Sequence, residues 1–383
     1  MSPGPLTGKD GGVTSATARA PGRVNLIGDH TDYNGGLCLP FAIAPATSTT
    51  ARSRGDDRLR IRSTAFPEVW SGHLADLTLE GREAMPDWVR YPAGVLWAAR
   101  EDGWLLPGVD LVIDSELPLG AGLSSSAALE CSVALAVGTL VDRPLDPGSR
   151  HRLAELCRRA ETEFAGAPTG GMDQLVSLLA KPDHALLIDF TDTSVRPVPL
   201  ALREAGLVVL VTDTGSAHQL VDAESGYAQR RAECERAAAA LGLPRIGLAW
   251  PDDLSRLDDD VQQARARHVL SENARVEDTI TAVTAGDWEA VGRILLSSHV
   301  SLRGDFAAST PALDLAVETA VEAGALGARL TGGGFGGSTI ALVPEERASA
   351  VQTAIDTAFA AAGDPAPTHL VVLPSAGASV RTT

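Results

Sequence analysis

Lysine is almost missing from this chain. Among 32 basic residues only Lys9 and Lys181 are lysines, followed by Asp10 and Pro182, and neither falls in a GxxxxGK[ST] pattern. A Walker-type nucleotide site and a protein-kinase site each need a lysine in a defined local setting, so both are excluded and any nucleotide must be held by other means. Cysteine is scarce as well. Cys38, Cys131, Cys157 and Cys234 stand far apart, which fits neither a disulfide framework nor a paired zinc-ligand pattern, and they are expected to be reduced. The eight histidines contain no HExxH and no close pair, which argues against a metal hydrolase.

Long apolar runs are absent too. The longest, 127–141, contains Glu130 and falls short of the roughly 18 residues that a membrane span requires. The first residues, MSPGPLTGKDGG, have neither a cationic start nor an apolar stretch of the secretory kind, so a cytoplasmic protein is expected. Excess positive charge is also lacking. A formal charge of −17 opposes broad contact with DNA or RNA, which depends on clustered cationic side chains. The partners expected are therefore small molecules, with no nucleic acid and no membrane, and the chain is read as a monomer.

What is present is a chain of 383 residues, 44% of them apolar, enough for two packed domains. Residues 1–16 are read as a mobile N-terminal segment, 17–200 as a first domain and 201–383 as a second. Strand-like segments dominate to residue 63, and helical spacing appears at 88–99, 124–140 and 151–180. A strand at 207–212 is followed by amphipathic helices at 222–240, 264–283, 288–302 and 311–322 and a closing strand. This is an α+β pattern. The acidic run DDLSRLDDD at 252–260 matches no calcium loop and is read as solvated turns.

Three glycine-rich motifs carry the chemistry. PLGAGLSSSAALE (118–130) follows a strand-like segment and opens a helix. At such a helix start several N–H groups lack internal partners and the macrodipole is positive, so phosphates are bound there without lysine. Gly120 and Gly122 allow close approach of backbone, with Leu123 between them and the helix, while Ser124, Ser125 and Ser126 add hydroxyls for phosphate oxygens or magnesium. A helix-capping role would explain one serine of the three. GRVNLIGDHTDYNGG (22–36) crowds Arg23, Asp29, His30 and Asp32 into one turn-rich stretch. Such carboxylates and an imidazole suit recognition of a polyhydroxylated ligand, the alternative being a solvated turn. LTGGGFGGSTIAL (330–342) removes side chains along a whole surface, and Gly333 and Gly334 are expected where a ligand meets that backbone.

With these motifs in this order the chain resembles the GHMP kinase family, and within it the galactokinases. The likeness extends to AETEFAGAPTGGMDQ (160–174), SGYAQRRAECE (225–235) and SSHVSLRGDF (297–306). It implies the two-domain GHMP kinase fold, mixed sheets packed with helices, with the active site between the domains. It implies ATP-dependent phosphorylation of galactose at its anomeric hydroxyl, the first committed step of galactose catabolism. A kinase for N-acetylgalactosamine or arabinose, or a sugar and ATP sensor without turnover, are the alternatives. By position, Asp173 and Arg23 would form the catalytic pair, and Asp29, His30, Asp32, Gly170 and Tyr227 would touch the sugar. Ser126 and Glu161 would hold magnesium, and Trp88 would lie near the adenine. The family's usual Glu is replaced by the shorter Asp29. Asp173 would act either as a base or as an orienting acceptor, since a cation beside a carboxylate weakens it as a base.

Overall fold

The computed structural model describes residues 14–118, 120–215 and 220–382. The first 13 residues of the segment read as mobile lie outside the described residues, whereas Ser15 and Ala16 already pair with Arg52 and Ala51.

Alternation of small and polar residues in SATARAPGRVN forms β1 (Ser15–Asn25), with Ala16, Ala18 and Ala20 inward. It is followed by β2 (Leu37–Cys38), β3 (Pro40–Ser53), β4 (Arg58–Ser63), β5 (Val69–His73), α1 (Asp87–Glu101) and β6 (Val109–Ser115). Helix α2 (Ser125–Leu140) is apolar nearly all round because it is buried against β1 and β3. Helix α3 (Pro147–Arg159) runs into a π-helical turn, Ala160–Ala165, and α4 (Met172–Leu179) follows. The hairpin β7 (His184–Asp189) and β8 (Ser194–Pro199) pairs with β2.

The second half begins with β9 (Leu207–Asp213) and α5 (Leu220–Leu241). Then come α6 (Asp260–Ala285), α7 (Trp288–Gly304) and α8 (Pro311–Glu322), started by the side chains of Asp259, Asp287 and Thr310, which accept first-turn N–H bonds. The chain closes with β10 (Gly327–Thr331), β11 (Ser338–Pro344), α9 (Ala348–Ala362), β12 (Thr368–Val372) and β13 (Ser379–Thr382).

Strand orders are β13-β1-β3-β6-β4-β5 and β10-β11-β9-β12. The α+β pattern holds, and contacts run across the boundary read at residue 200. Strand β13 returns to pair with β1, and one core cluster joins Val24, Phe41 and Ala128 to Val209, Ile340 and Leu342. The four cysteines are free and buried, and among the described residues no helix is long and apolar enough to cross a membrane. Within the acidic run, Asp253 pairs with Arg256 and accepts the Trp250 N–H, which accounts for it as a turn.

Candidate active site

The three glycine-rich motifs converge where β1 ends. Asp29 Oδ1 accepts the Gly332 N–H at 3.0 Å, Arg23 Nη1 donates to the Gly122 carbonyl at 2.5 Å, and Ser338 Oγ donates to the Ala121 carbonyl at 2.7 Å. First, second and third motifs are thereby tied edge to edge. A cavity of about 200 Å³ lies at the junction, lined by Arg23, Asp29, His30, Asp32, Asp173, Tyr227 and Gly333 among others.

Arg23 and Asp173 form a forked pair, Nε to Oδ1 at 2.7 Å and Nη2 to Oδ2 at 2.9 Å. Asp173 sits in the first turn of α4 and receives a third bond, from Ser124 Oγ at 2.5 Å. Ser124 therefore does not cap α2. Its backbone is left-handed, at φ 59°, which turns the hydroxyl toward Asp173 rather than toward the helix. Gly120 and Gly122 also have positive φ, and a Cβ on either would meet open space, so this loop presents bare backbone to whatever lies in front of it. The Leu123 side chain is buried in the core and its carbonyl accepts the Arg23 N–H at 3.2 Å, which leaves only its own N–H for a ligand.

The first motif is braced by Thr31, whose hydroxyl reaches the Gly28 and Leu37 carbonyls at 2.8 and 2.7 Å. Asp32 faces away from that bracing. Its carboxylate stands against Gly170, where any Cβ would collide with it, and this accounts for glycine at that position. Burial, and then the charge of Asp173, push Asp32 up to about 6. His30 is left-handed at φ 62°, its Nδ1 lies 2.8 Å from the Tyr33 hydroxyl, and its buried Nε2 has no hydrogen-bond partner among the described residues. Burial, and then His268, lower its pKa to about 3, so the ring is neutral at pH 7 and keeps one N–H donor. Tyr227 closes this side, its ring centroid 5.7 Å from that of His30 and 5.5 Å from that of Tyr33.

Two residues differ from their expected surroundings. Asp29 borders the cavity, but both its oxygens are engaged, Oδ1 by the Gly332 N–H and Oδ2 by the guanidinium of fully buried Arg329. A Cβ on Gly334 would strike the Ala308 carbonyl, while Gly333 lines the cavity beside Tyr227. Trp88 stands outside the cavity, stacked on Phe66 at 5.1 Å with rings 9° apart.

Behind Asp173, Gln174 Nε2 donates to Glu161 Oε2 at 2.5 Å and to Glu130 Oε2 at 3.2 Å. Burial, against a hydrogen bond from Ser126, raises Glu161 to about 7. Glu130 is raised well above its ordinary value by burial and by Glu161. Burial and mutual repulsion disfavour the charged forms of these carboxyls, and a divalent ion beside them would favour the ionised forms. Ser126 and Glu161 would be its oxygen donors, and among the described residues no three His, Cys, Asp or Glu side chains gather to hold a metal. An ion here would take its other ligands from phosphate and water, as magnesium commonly does.

Sequence reasoning missed Tyr33, Arg329, Gln174 and Glu130. Arg329, the one charge in the buried strand GARLT, was the visible signal, and Tyr33 stood inside the first motif.

Comparison with known proteins matches the model for GHMP kinases N terminal domain at residues 90–181, that for the galactokinase galactose-binding signature at 9–53, and that for GHMP kinases C terminal at 279–361. A galactokinase of Streptomyces coelicolor is 46% identical over 366 residues, 94% of this chain and 92% of that protein. One from Mycobacterium tuberculosis is 43% identical over 373 residues, covering 93% and 97%. The crystal structure of Lactococcus lactis galactokinase complexed with galactose superposes with TM-score 0.89 at 30% identity, covering 95% of each chain. Methanococcus jannaschii mevalonate kinase, TM-score 0.66 at 16% identity over 96% of this chain and all of that one, shares the fold. By its motifs, its architecture and these relatives, the chain belongs to the GHMP kinase family and, within it, to the galactokinases.

Proposed function

We propose that this protein transfers the γ-phosphoryl group of ATP to the anomeric hydroxyl of D-galactose, giving α-D-galactose 1-phosphate. The observation that carries this reading is the position of Asp173. One carboxylate borders the sugar-sized cavity and at the same time receives Ser124 from the glycine loop, so an acceptor hydroxyl beside it would face the phosphates on that loop.

Phosphoryl transfer asks for in-line positioning and charge neutralisation more than for covalent help. The bare backbone at Gly120 and Gly122, the N–H of Leu123, the hydroxyls of Ser125 and Ser126 and the start of α2 would cradle the triphosphate. Magnesium, held by Ser126 and Glu161, would neutralise charge on the phosphate oxygens. Trp88, one ring face covered by Phe66, would lie near the adenine. In the cavity, Asp32 accepts from ring hydroxyls, the neutral His30 donates from Nε2, and Tyr227 and Gly333 form the wall. Asp29 holds the third motif in place through Gly332 and Arg329 rather than gripping the sugar. Asp173, fixed on three sides by Arg23 and Ser124, orients the attacking hydroxyl and accepts its proton as the new P–O bond forms. A cation that is already bonded through both its Nε and Nη2 makes an orienting acceptor a better description of Asp173 than a strong base.

The test is kcat/KM for galactose, glucose, N-acetylgalactosamine and arabinose with ATP. Galactose should exceed glucose by roughly tenfold to several hundredfold, the cost of one buried polar group left unpaired when the axial hydroxyl turns equatorial. Equal turnover of galactose and glucose, or none of any sugar, would overturn the reading.

A further inference from the structure

Next to the sugar cavity, and sharing Asp32, Tyr33 and Thr169 with it, lies a larger cleft of about 610 Å³ for which none of the glycine-rich motifs accounts. Its charged lining is unusual for a chain of formal charge −17. Arg152 and Arg158 enter from α3, Arg231 from α5, and Arg245 from the turn after it, against the carboxylates of Glu155 and Asp32.

These guanidiniums are only partly used. Arg158 is forked by Glu155 at 2.8 and 2.6 Å. Arg152 donates from Nη2 to Ser149 Oγ at 2.8 Å, and Arg245 from Nη1 to the Phe190 carbonyl at 2.8 Å, both neutral partners. Arg231 donates from Nε to Glu235 at 3.1 Å, while its buried Nη1 has no partner among the described residues. Since each guanidinium carries five donors in a rigid fork, Arg152, Arg231 and Arg245 retain unspent N–H groups around one space. Thr169 and the backbone at Gly170 and Gly171 add neutral polar groups to the same wall.

We propose that this cleft binds a phosphorylated monosaccharide, and that its occupancy weakens binding of the sugar substrate next door. Planar forked donors match a phosphate monoester, and the cleft is roomy enough for a hexose attached to it. The coupling has a physical route. The Arg231 guanidinium lies over the Tyr33 ring, 5.5 Å from its centroid, and the Tyr33 hydroxyl holds His30. Asp32, moreover, stands in both walls, so a dianion behind it opposes the charge with which it accepts sugar hydroxyls. By linkage the sugar weakens the phosphate ester to the same degree. The coupling rests on the galactose site proposed above, whereas the binding does not.

Calorimetric titration of the full chain, without nucleotide or magnesium, would use glucose 6-phosphate, inorganic phosphate and uncharged glucose as probes. Glucose 6-phosphate should bind, inorganic phosphate more weakly and glucose not at all, with affinity falling as salt is raised. Arg152→Gln and Arg231→Gln, each checked by thermal melting, should each weaken glucose 6-phosphate roughly tenfold or more. Arg152→Gln should leave kcat for galactose in phosphate-free buffer unchanged. Glucose 6-phosphate should raise the galactose KM of the parent and not of Arg152→Gln. Absence of binding at millimolar concentration, affinity unchanged in both folded variants, or equal affinity for inorganic phosphate would overturn the proposal. Normal galactose turnover alongside any of these would leave the kinase reading intact.

Discussion

Lowering the pH through about 6 should weaken galactose, because Asp32 must be charged to accept hydrogen bonds from sugar hydroxyls. Asp32 is raised from 3.8 to about 6 by burial first and by the charge of Asp173 second, with Arg23 and Arg231 pulling the other way. At pH 5, one unit lower, only about a tenth of the molecules carry the carboxylate, so kcat/KM for galactose should fall about tenfold from its plateau and about a hundredfold by pH 4 if the fold persists. Asp32→Asn keeps the shape and removes the titration, so its kcat/KM should be lower by roughly ten- to a hundredfold at pH 8 and flat between pH 5 and 8. The same shift bears on stability. A carboxyl whose folded value is raised contributes fully below 3.8 and loses that contribution as pH rises through about 6, so at pH 7 the sugar-free Asp32→Asn variant should be more stable, by up to about 3 kcal/mol. The assay is initial-rate kinetics with galactose varied at saturating ATP from pH 5 to 8, paired with melting curves. A flat galactose profile in the parent, or the same break near pH 6 in Asp32→Asn, would refute the reasoning.

Asp173→Asn should reduce kcat by about a hundredfold to ten-thousandfold with little change in nucleotide affinity, and parent-like single-turnover rates would contradict that role. Glu161→Gln should raise the magnesium requirement, and in the parent that requirement should grow as pH falls through about 7, where the carboxyl takes up its proton; overlaid magnesium titrations would refute the assignment. Asp29→Ala leaves the buried Arg329 guanidinium without its partner and should cost about 3–5 kcal/mol in denaturant unfolding, whereas unchanged stability would mean that the pair does not hold the third motif.

Much of this site was legible in the sequence because its chemistry is local. The turn holding Asp29, His30 and Asp32 and the loop holding Gly120 to Ser126 are each one short segment, and helical spacing located α1, α2 and α6 to α8 to within a few residues. What escaped depends on contacts far apart in the chain. That Asp29 is paired with Arg329, 300 residues later, cannot be read from its own motif. The positive φ of Ser124, which redirects its hydroxyl from helix cap to Asp173, leaves no mark on the order of residues. Gly334 and Gly333 look alike in sequence, yet Gly334 alone of the two has a positive φ, at 74°, and the Ala308 carbonyl behind it. That β13, a short exposed segment beyond the boundary read at residue 200, returns to the first sheet depends only on its pairing with β1.

The most direct measurement of the central claim is phosphorus–proton correlation NMR of the product formed from galactose, ATP and magnesium. Transfer at the cavity bordered by Asp173 predicts one phosphate ester coupled to the anomeric proton of α-galactose, formed in step with ADP and missing in Asp173→Asn. Phosphate on any other carbon, or ADP released without a sugar ester, would contradict the account.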